Sequence, residues 1–395
     1  MSTILVINSG SSSFKYQLID MDTENAIASG LVERIGESSG HTTHRGPSGT
    51  SERTLEIPDH TAGFRAMLDA FAQSGPSLDD DPPIAIGHRV VHGGKRFFEP
   101  TIVTPLVELN IEDLSDLAPL HNPANLEGIR AAEKAFPDVP HVAVFDTAFH
   151  QTLAPEAYTY AIDAELAERH RVRRYGFHGT SHKYVSEEAA RYLGKPLADL
   201  KQIVLHLGNG ASACAIDGGR SVDTSMGMTP LEGLVMGSRS GDIDPAVLIH
   251  LSRRAGLDTD GLDELLNRRS GLVGLAGRGD MRDVTRAAAG GDASAERALA
   301  TYLHRLKHYI GAYFAVLGGL DVITFTAGVG ENSEVVRAGA LEGLGALGIR
   351  LDPERNAVRS RDPRTISADD SAVTVLVIPT DEELEIARQT QAAIA

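Results

Sequence analysis

The chain reads as an α/β protein built from two similar halves, and three features of the sequence say so. Apolar runs of strand length alternate with segments that carry helix start and stop signals. The opening "VINSGSSSFKYQLID" (residues 6–20), an apolar strand, a Gly/Ser turn and a second strand, is echoed by "IVLHLGNGASACAID" (residues 203–217). A third strand follows each pair, over residues 26–32 in the first half and residues 221–223 in the second. The plainer reading of either run is an ordinary hairpin. Yet Gly10-Ser11-Ser12-Ser13 offers more hydroxyls and flexible N–H groups than closing a turn requires. Two such hairpins across a cleft would grip a phosphate chain with backbone N–H groups, in place of a P-loop, whose Lys and following helix are missing.

The remaining elements follow in order. Residues 84–91 and 142–145 are apolar strands, and Asn122-Pro123 between them starts a helix to about residue 136, with Asn as cap and Pro at the first helical position. A helix from Thr180 or Ser181 ends near Gly194, and one from Asp244-Pro245 ends before Gly256. Asp292 opens a long helix whose Leu299, Leu303, Leu306, Ile310 and Phe314 recur near helical spacing, closed by Gly318-Gly319. "TFTAGVGENS" reads as strand, Gly turn and a helix from Asn332. Thr380-Asp381-Glu382-Glu383 is a capping box, with Thr380 as N-cap and Glu383 at the third helical position.

Composition excludes several classes of function. With 395 residues, 42% of them hydrophobic, the chain is long enough for two domains with ample cores. A formal charge of −17 argues against a broad nucleic-acid surface, which needs clustered Lys and Arg. One Cys and the lack of a signal-peptide pattern point to a cytoplasmic protein. The most apolar long stretch, residues 308–325, is broken by Gly318, Gly319 and Asp321, so it reads as a buried helix and a strand and not as a membrane span.

Several residues are candidates for chemistry on anions. Arg89 ends a strand and Arg239 sits in "GSRSG", where small neighbours let a guanidinium project. Each can clamp a carboxylate or phosphate through paired N–H donors, the alternative being a surface salt bridge. His121 and His178 precede helix N-termini, where orphan amides favour an anion, although a lone His is most often structural. Asp146 directly follows a buried strand, at the carboxyl edge where α/β sheets place ligands, or else serves as a turn or cap residue.

The motifs "INSGSSSFKY", "GHRVVHGG", "LAPLHNPANLEGI", "VFDTAFH", "RRYGFHGTSHKYV", "HLGNGAS", "VDTSMGMTPLEGLVMGSRSGDIDP", "TAGVGENS" and "PTDEELEIA" follow one another as in acetate kinases. The resemblance runs from residue 4 to about 390 with no missing block. It implies a duplicated RNase H-like, actin-like ATPase fold around a nucleotide cleft: residues 1–149 with a returning terminal helix over residues 384–395, and residues 150–383. It also implies a homodimer that moves a phosphoryl group reversibly between ATP and acetate, giving ADP and acetyl phosphate, with Mg2+ or alternatively Mn2+. Binding of ATP-Mg is expected to draw the halves together about hinges near residues 150 and 383.

Family correspondence implies catalytic roles for Asp146, His178, Arg239 and His121, an acetate site at Arg89, Val91, Leu120, Phe177 and Pro230, and metal ligands Asn8 and Glu382. It implies nucleotide contacts from Ser12 and Lys15, from His206, Leu207, Gly208, Asn209 and Gly210, from Asp280, Met281 and Arg282, and from Gly328, Val329, Gly330, Glu331 and Asn332. Ordinary core packing remains the other reading of the apolar acetate pocket. Two residues depart from the pattern. Asp381 stands where relatives commonly have Asn, an extra negative charge beside the metal site, and Ala327 stands where they commonly have Gly. The rivals are a propionate or other short-chain acyl kinase and, from another class, an actin-like or Hsp70-like nucleotide switch.

Overall fold

The computed structural model describes residues 2–395 and separates into two compact units, Met1–Phe149 with Asp381–Ala395, and His150–Thr380. The terminal segment thus joins the first unit from Asp381 onward, earlier than residue 384, so Glu382 and Glu383 belong to that unit.

The first unit holds one sheet of strands β1 (Thr3–Ser9), β2 (Ser13–Asp20), β3 (Asn25–Glu33), β4 (Gly40–Gly46), β5 (Gly49–Leu55), β6 (Ala85–Val90), β7 (Thr101–Ile102) and β8 (His141–Phe145), in the order β5-β4-β3-β2-β1-β6-β8-β7. The second holds β9 (Lys201–Leu207), β10 (Ala211–Asp217), β11 (Arg220–Thr224), β12 (Val322–Thr326), β13 (Arg364–Thr365) and β14 (Thr374–Val377), in the order β11-β10-β9-β12-β14-β13. The repeat seen in the sequence is therefore a repeat of topology. In each sheet an antiparallel hairpin is extended by two parallel strands, β1-β6-β8 in one and β9-β12-β14 in the other. Central strands buried on both faces need continuous apolar runs, and β8 is buried at every residue.

Two glycines let helices approach the first sheet closely. A Cβ on Gly87 of β6 would lie 2.4 Å from Thr390 Oγ1 of the terminal helix Glu382–Ile394, and one on Gly128 of the helix Asn122–Ala135 would lie 2.5 Å from the Ser9 side chain. The helix Asn122–Ala135 starts at the carboxyl end of β6, where Asn122 and Asn125 bond the backbone of His92 and Val91, and Glu382 at the start of the terminal helix lies within electrostatic reach of Arg89 of the same strand, at the edge where ligands bind in such sheets.

Local chemistry moves several element starts. Asn122 does not cap its helix, because its amide is used up on the backbone of His92, accepting from the N–H at 3.1 Å and donating to the carbonyl at 3.0 Å; His121 takes the N-cap position. The long helix runs Ala293–Leu317 behind Asp292, but its buried stripe is Ala295, Ala298, Tyr302, Leu306, Ile310, Tyr313 and Leu317; Leu299, Leu303 and Phe314 are half-buried on its flank. The segment after β12 makes no open turn, since the helix Ala327–Asn332 begins at once and a second, Glu334–Leu341, is capped by Ser333. That immediate start puts Ala327 at φ 62°, the left-handed region that explains a preference for glycine there and costs a Cβ-bearing residue about 1 kcal/mol.

The terminal capping box is also rearranged. Asp381, not Thr380, is the N-cap, its carboxylate accepting from Leu384 N at 2.9 Å, while Thr380 Oγ1 bonds Ser181 Oγ at 2.8 Å within the second unit. The acidic residue at 381 thus serves as the helix cap, and its charge also bears on Glu382 and Glu383. Asp381→Ala should lower the unfolding free energy by about 1 kcal/mol and Asp381→Asn by much less, read from denaturant midpoints. Loss on Thr380→Ala with none on Asp381→Ala would restore the box read from the sequence.

Candidate active site

In the first unit the parallel register of β6 and β8, which sets Arg89 against Val144 and Val90 against Phe145, brings two charged side chains to one edge. Arg89 Nε donates to Asp146 Oδ1 at 3.0 Å and Nη2 donates to Asp146 Oδ2 at 2.7 Å, a two-pronged pair on a carboxylate whose side chain is 2% exposed. Two of the five guanidinium N–H bonds are thereby committed, and Nη1 is directed to Asn8 Oδ1 at 3.5 Å. Burial works against the charge on Arg89, but Asp146, Glu382 and Glu383 together outweigh it and raise its pKa.

Asn125, one helical turn from Asn122, fastens this edge. Its Oδ1 accepts from Val91 N at 3.0 Å and its Nδ2 donates to Ser9 O at 2.6 Å, tying the ends of β1 and β6 together. Val91 is buried beside it, whereas Leu120 is 55% exposed and so does not line an enclosed apolar pocket within this unit. His121 N donates to Ala118 O at 3.0 Å at the head of the same helix. In the first hairpin Ser12 and Lys15 are exposed, and Lys15 pairs with Asn8 across β1 and β2.

The acidic residue of this edge is under-satisfied. Glu382 Oε2 is buried with no hydrogen-bond partner. Burial raises the pKa of Glu382, and Asp146 and Asp381 add to the rise while Arg89 and Lys15 oppose it. An orphaned carboxylate oxygen at Glu382 and the amide oxygen of Asn8, each beside Arg89, are oxygen donors of the kind that a hard divalent cation prefers. No group of three or more His, Cys, Asp or Glu able to hold a metal exists among the described residues. A divalent cation held by Asn8 and Glu382 would complete its shell with water and phosphate oxygens.

The second unit contributes a different kind of charge. Arg239 is half-buried and its Nη1 donates to Pro230 O at 2.9 Å, with Met236 Sδ at 3.7 Å; it makes no salt bridge among the described residues, and burial lowers its pKa. A guanidinium without a counter-ion in such a place is a standing site for an anion. Gly210 marks the spot: a Cβ there would lie 3.5 Å from Arg239 Nη1 and 3.6 Å from His178 Nε2. His178 is the N-cap of the helix Gly179–Leu193 and adopts φ 55°, a left-handed strain that a non-glycine residue keeps only when its surroundings fix it. Phe177 before it is buried, its carbonyl accepting from His150 Nε2 at 2.9 Å.

The predicted nucleotide residues divide. Gly208, Asn209, Asp280, Met281, Arg282, Gly328, Val329 and Asn332 line one cavity of about 980 Å³. Buried His206 and Leu207 on β9, and Gly210, Gly330 and Glu331, flank it without lining it. Asp280 caps the helix Met281–Ala289 by accepting from Arg282 N at 2.8 Å, and the Arg282 side chain folds back onto the same carboxylate at 2.6 Å. Sequence reading missed Leu272, Thr285, Arg359 and Tyr302, whose buried hydroxyl has no partner, because these lining residues come from separate elements. It also missed Arg337, 2% exposed, whose Nη1 donates at 2.9 Å to the carbonyls of both Gly330 and Glu331 and fixes the end of that helix.

The acetokinase family model matches residues 3–388. The acetate kinase of Leifsonia xyli subsp. xyli is 75% identical over 395 residues, covering 100% of both chains, and that of Clavibacter michiganensis subsp. michiganensis is 67% identical over the same span. The crystal structure of Porphyromonas gingivalis acetate kinase superposes with a TM-score of 0.95 at 42% identity over 100% of both chains. A propionate kinase from Francisella tularensis subsp. tularensis gives 0.93 at 41% identity, covering 99% of this chain and 100% of its own.

Gly210→Ala tests the anion site. The methyl meets its neighbours at ordinary contact distance, so the melting temperature should hold, while inorganic phosphate binding, followed by the His178 ring resonances, should weaken about tenfold through one lost charge-assisted contact. Unchanged phosphate affinity would place the anion elsewhere.

Proposed function

The chain belongs to the acetokinase family, and we propose that it catalyses reversible phosphoryl transfer from ATP to acetate, giving acetyl phosphate and ADP by direct in-line displacement. The observation that carries this reading is Arg239, a half-buried guanidinium with a carbonyl and a thioether as its partners and no carboxylate. Acetate is already ionised at neutral pH, so the reaction needs no strong base; it needs cations and fixed donors to hold two anions together.

Each residue then has a task. Arg89, aimed by Asp146, holds the carboxylate through its remaining N–H groups, so Asp146 acts by orienting the guanidinium and not by taking a proton. Arg239 and His178 donate to the equatorial oxygens of the moving phosphoryl group, and His121 supports its path. The Gly208-Asn209-Gly210 turn supplies N–H donors to the phosphates, and the 980 Å³ cavity takes the nucleoside. Asn8 and Glu382 would hold Mg2+, which supplies screening of phosphate charge when bound. Val91, Leu120, Phe177 and Pro230 remain the candidates for the methyl end of the acid.

A homodimer in the cytoplasm completes the reading. The helix Ala246–Ala255 has no buried residue and leaves Val247 and Ile249, 41% and 55% exposed, on opposite sides of its axis beside Ile243 at 40%, apolar surface that a second copy of the chain would cover. No helix among the described residues is long and apolar enough to cross a membrane, and the one Cys is buried and unpaired. The propionate kinase relative keeps a longer acid as the second reading.

Arg239→Ala should keep its fold and lose about a hundredfold or more in kcat, roughly 3 kcal/mol of transition-state stabilisation. Steady-state assays with acetate, propionate and butyrate check both points. Transfer to none of the three acids by the unmutated chain would overturn the proposal, and a higher kcat/KM with propionate would favour the second reading.

A further inference from the structure

Behind His178 lies a chain of buried polar groups that the reaction itself does not touch. His178 Nδ1 is 2.9 Å from Ser212 Oγ, and the same oxygen is 2.7 Å from His182 Nε2. Ser212 and His182 are both fully buried, and the other ring nitrogen of His182, Nδ1, has no hydrogen-bond partner. Burial, reinforced by His150 and His206, holds the pKa of His182 well below its ordinary value, so that ring is neutral. The His178 ring is fixed on its other face by His206, stacked at 4.2 Å between centroids, and His206 is in turn held by Ser181 Oγ at 2.8 Å.

These contacts select one arrangement of protons. A neutral His182 carries its hydrogen on Nδ1 or on Nε2. On Nδ1 it would be a buried N–H donor with no acceptor, the costlier of the two defects; on Nε2 it donates to Ser212 Oγ and leaves only a lone pair unmatched. Ser212 then accepts from His182, and its single O–H donates to His178 Nδ1. That bond occupies the Nδ1 lone pair, so a neutral His178 carries its hydrogen on Nε2, the atom that shares the Gly210 site with Arg239 Nη1. A doubly protonated His178 would make Ser212 accept from both rings and strand its own O–H, since no other acceptor lies within hydrogen-bond distance of that oxygen among the described residues.

We propose that Ser212 and His182 are positioning residues that lock His178 in its Nε2–H form, so that the ring presents a donor at the anion site beside Arg239. The catalytic consequence rests on the phosphoryl-transfer reading above; the tautomer itself does not. The strained φ of 55° at His178 fits the same purpose, because it aims a ring whose proton pattern is set from behind.

The test is a long-range 1H–15N correlation spectrum of the chain labelled at histidine, at pH 7.5, with kinetics on two sets of variants. The unmutated chain should show the Nε2–H pattern for His178. Ser212→Ala should shift that ring to a mixed pattern and lower kcat about tenfold to a hundredfold, with the KM values for ATP and acetate within about twofold, the split expected when a donor is misdirected and binding is kept. His182→Gln, whose amide nitrogen stands where Nε2 was, should recover most of kcat, while His182→Leu should behave like Ser212→Ala. An Nδ1–H pattern in the unmutated chain would overturn the lock even if the leucine variant failed to fold. An unchanged pattern in Ser212→Ala would do the same, and a shifted pattern with unchanged kcat would remove the positioning role. Absence of phosphoryl transfer by the unmutated chain would instead count against the proposed function and leave the spectrum to decide the tautomer.

Discussion

The buried pair of Arg89 and Asp146 is the constraint on which the first unit's ligand edge depends. Asp146 is 1% exposed, and a carboxylate there is tolerable only because two guanidinium N–H bonds meet it at 3.0 and 2.7 Å. Removing either partner strands the other, at a cost of about 3–5 kcal/mol for a buried pair. The pair also sets direction. With Nε and Nη2 turned to Asp146, the remaining edge carries Nη1, directed to Asn8 Oδ1 at 3.5 Å, and in the proposed function this edge meets the substrate carboxylate. Glu382 joins the arrangement because the terminal helix lies against Gly87, and its unpartnered Oε2 leaves the edge with a demand for a cation as well as for an anion.

The second unit repeats the strand order and reverses the electrostatic logic. Its arginine is left without a carboxylate, and its histidine is held from behind by a serine. It also carries non-glycine residues in the left-handed region at the starts of helices, His178 at φ 55° and Ala327 at φ 62°. Strain of this kind persists where packing over-determines a position and is often found at functional sites. One strand order thus carries two kinds of arginine, Arg89 held rigidly by a carboxylate and Arg239 held by a carbonyl and a thioether.

The sequence made the strands, the doubled hairpins, the strand-end positions of Arg89 and Asp146 and the place of His178 before a helix legible, because alternation, Gly-rich turns and element ends are local signals. What it hid was set by partners distant in the chain. Asn122 looked like a cap until His92 claimed its amide, and Thr380 looked like a cap until Ser181 claimed its hydroxyl. The same holds for the Ser212–His182 contact, which joins a strand to a helix 30 residues away in sequence, and for Arg337 under the Gly330 carbonyl. Asn122 and Asn125, spaced as neighbours on one helical face, were the one missed signal that a sequence reader had in hand. The family resemblance implied roles that no spacing could, such as the expectation that Asn8 and Glu382 are metal ligands.

The central claim is that Arg89 works as an aimed two-sided clamp and not as a point charge, and Arg89→Lys tests it most directly. Lysine keeps the charge beside Asp146 but cannot bond the carboxylate through parallel N–H groups and still offer a second edge. Initial-rate kinetics should show kcat/KM for acetate falling about a hundredfold, most of it in KM, with the KM for ATP within about twofold. Near-normal kcat/KM for acetate in a folded Arg89→Lys chain would contradict the account.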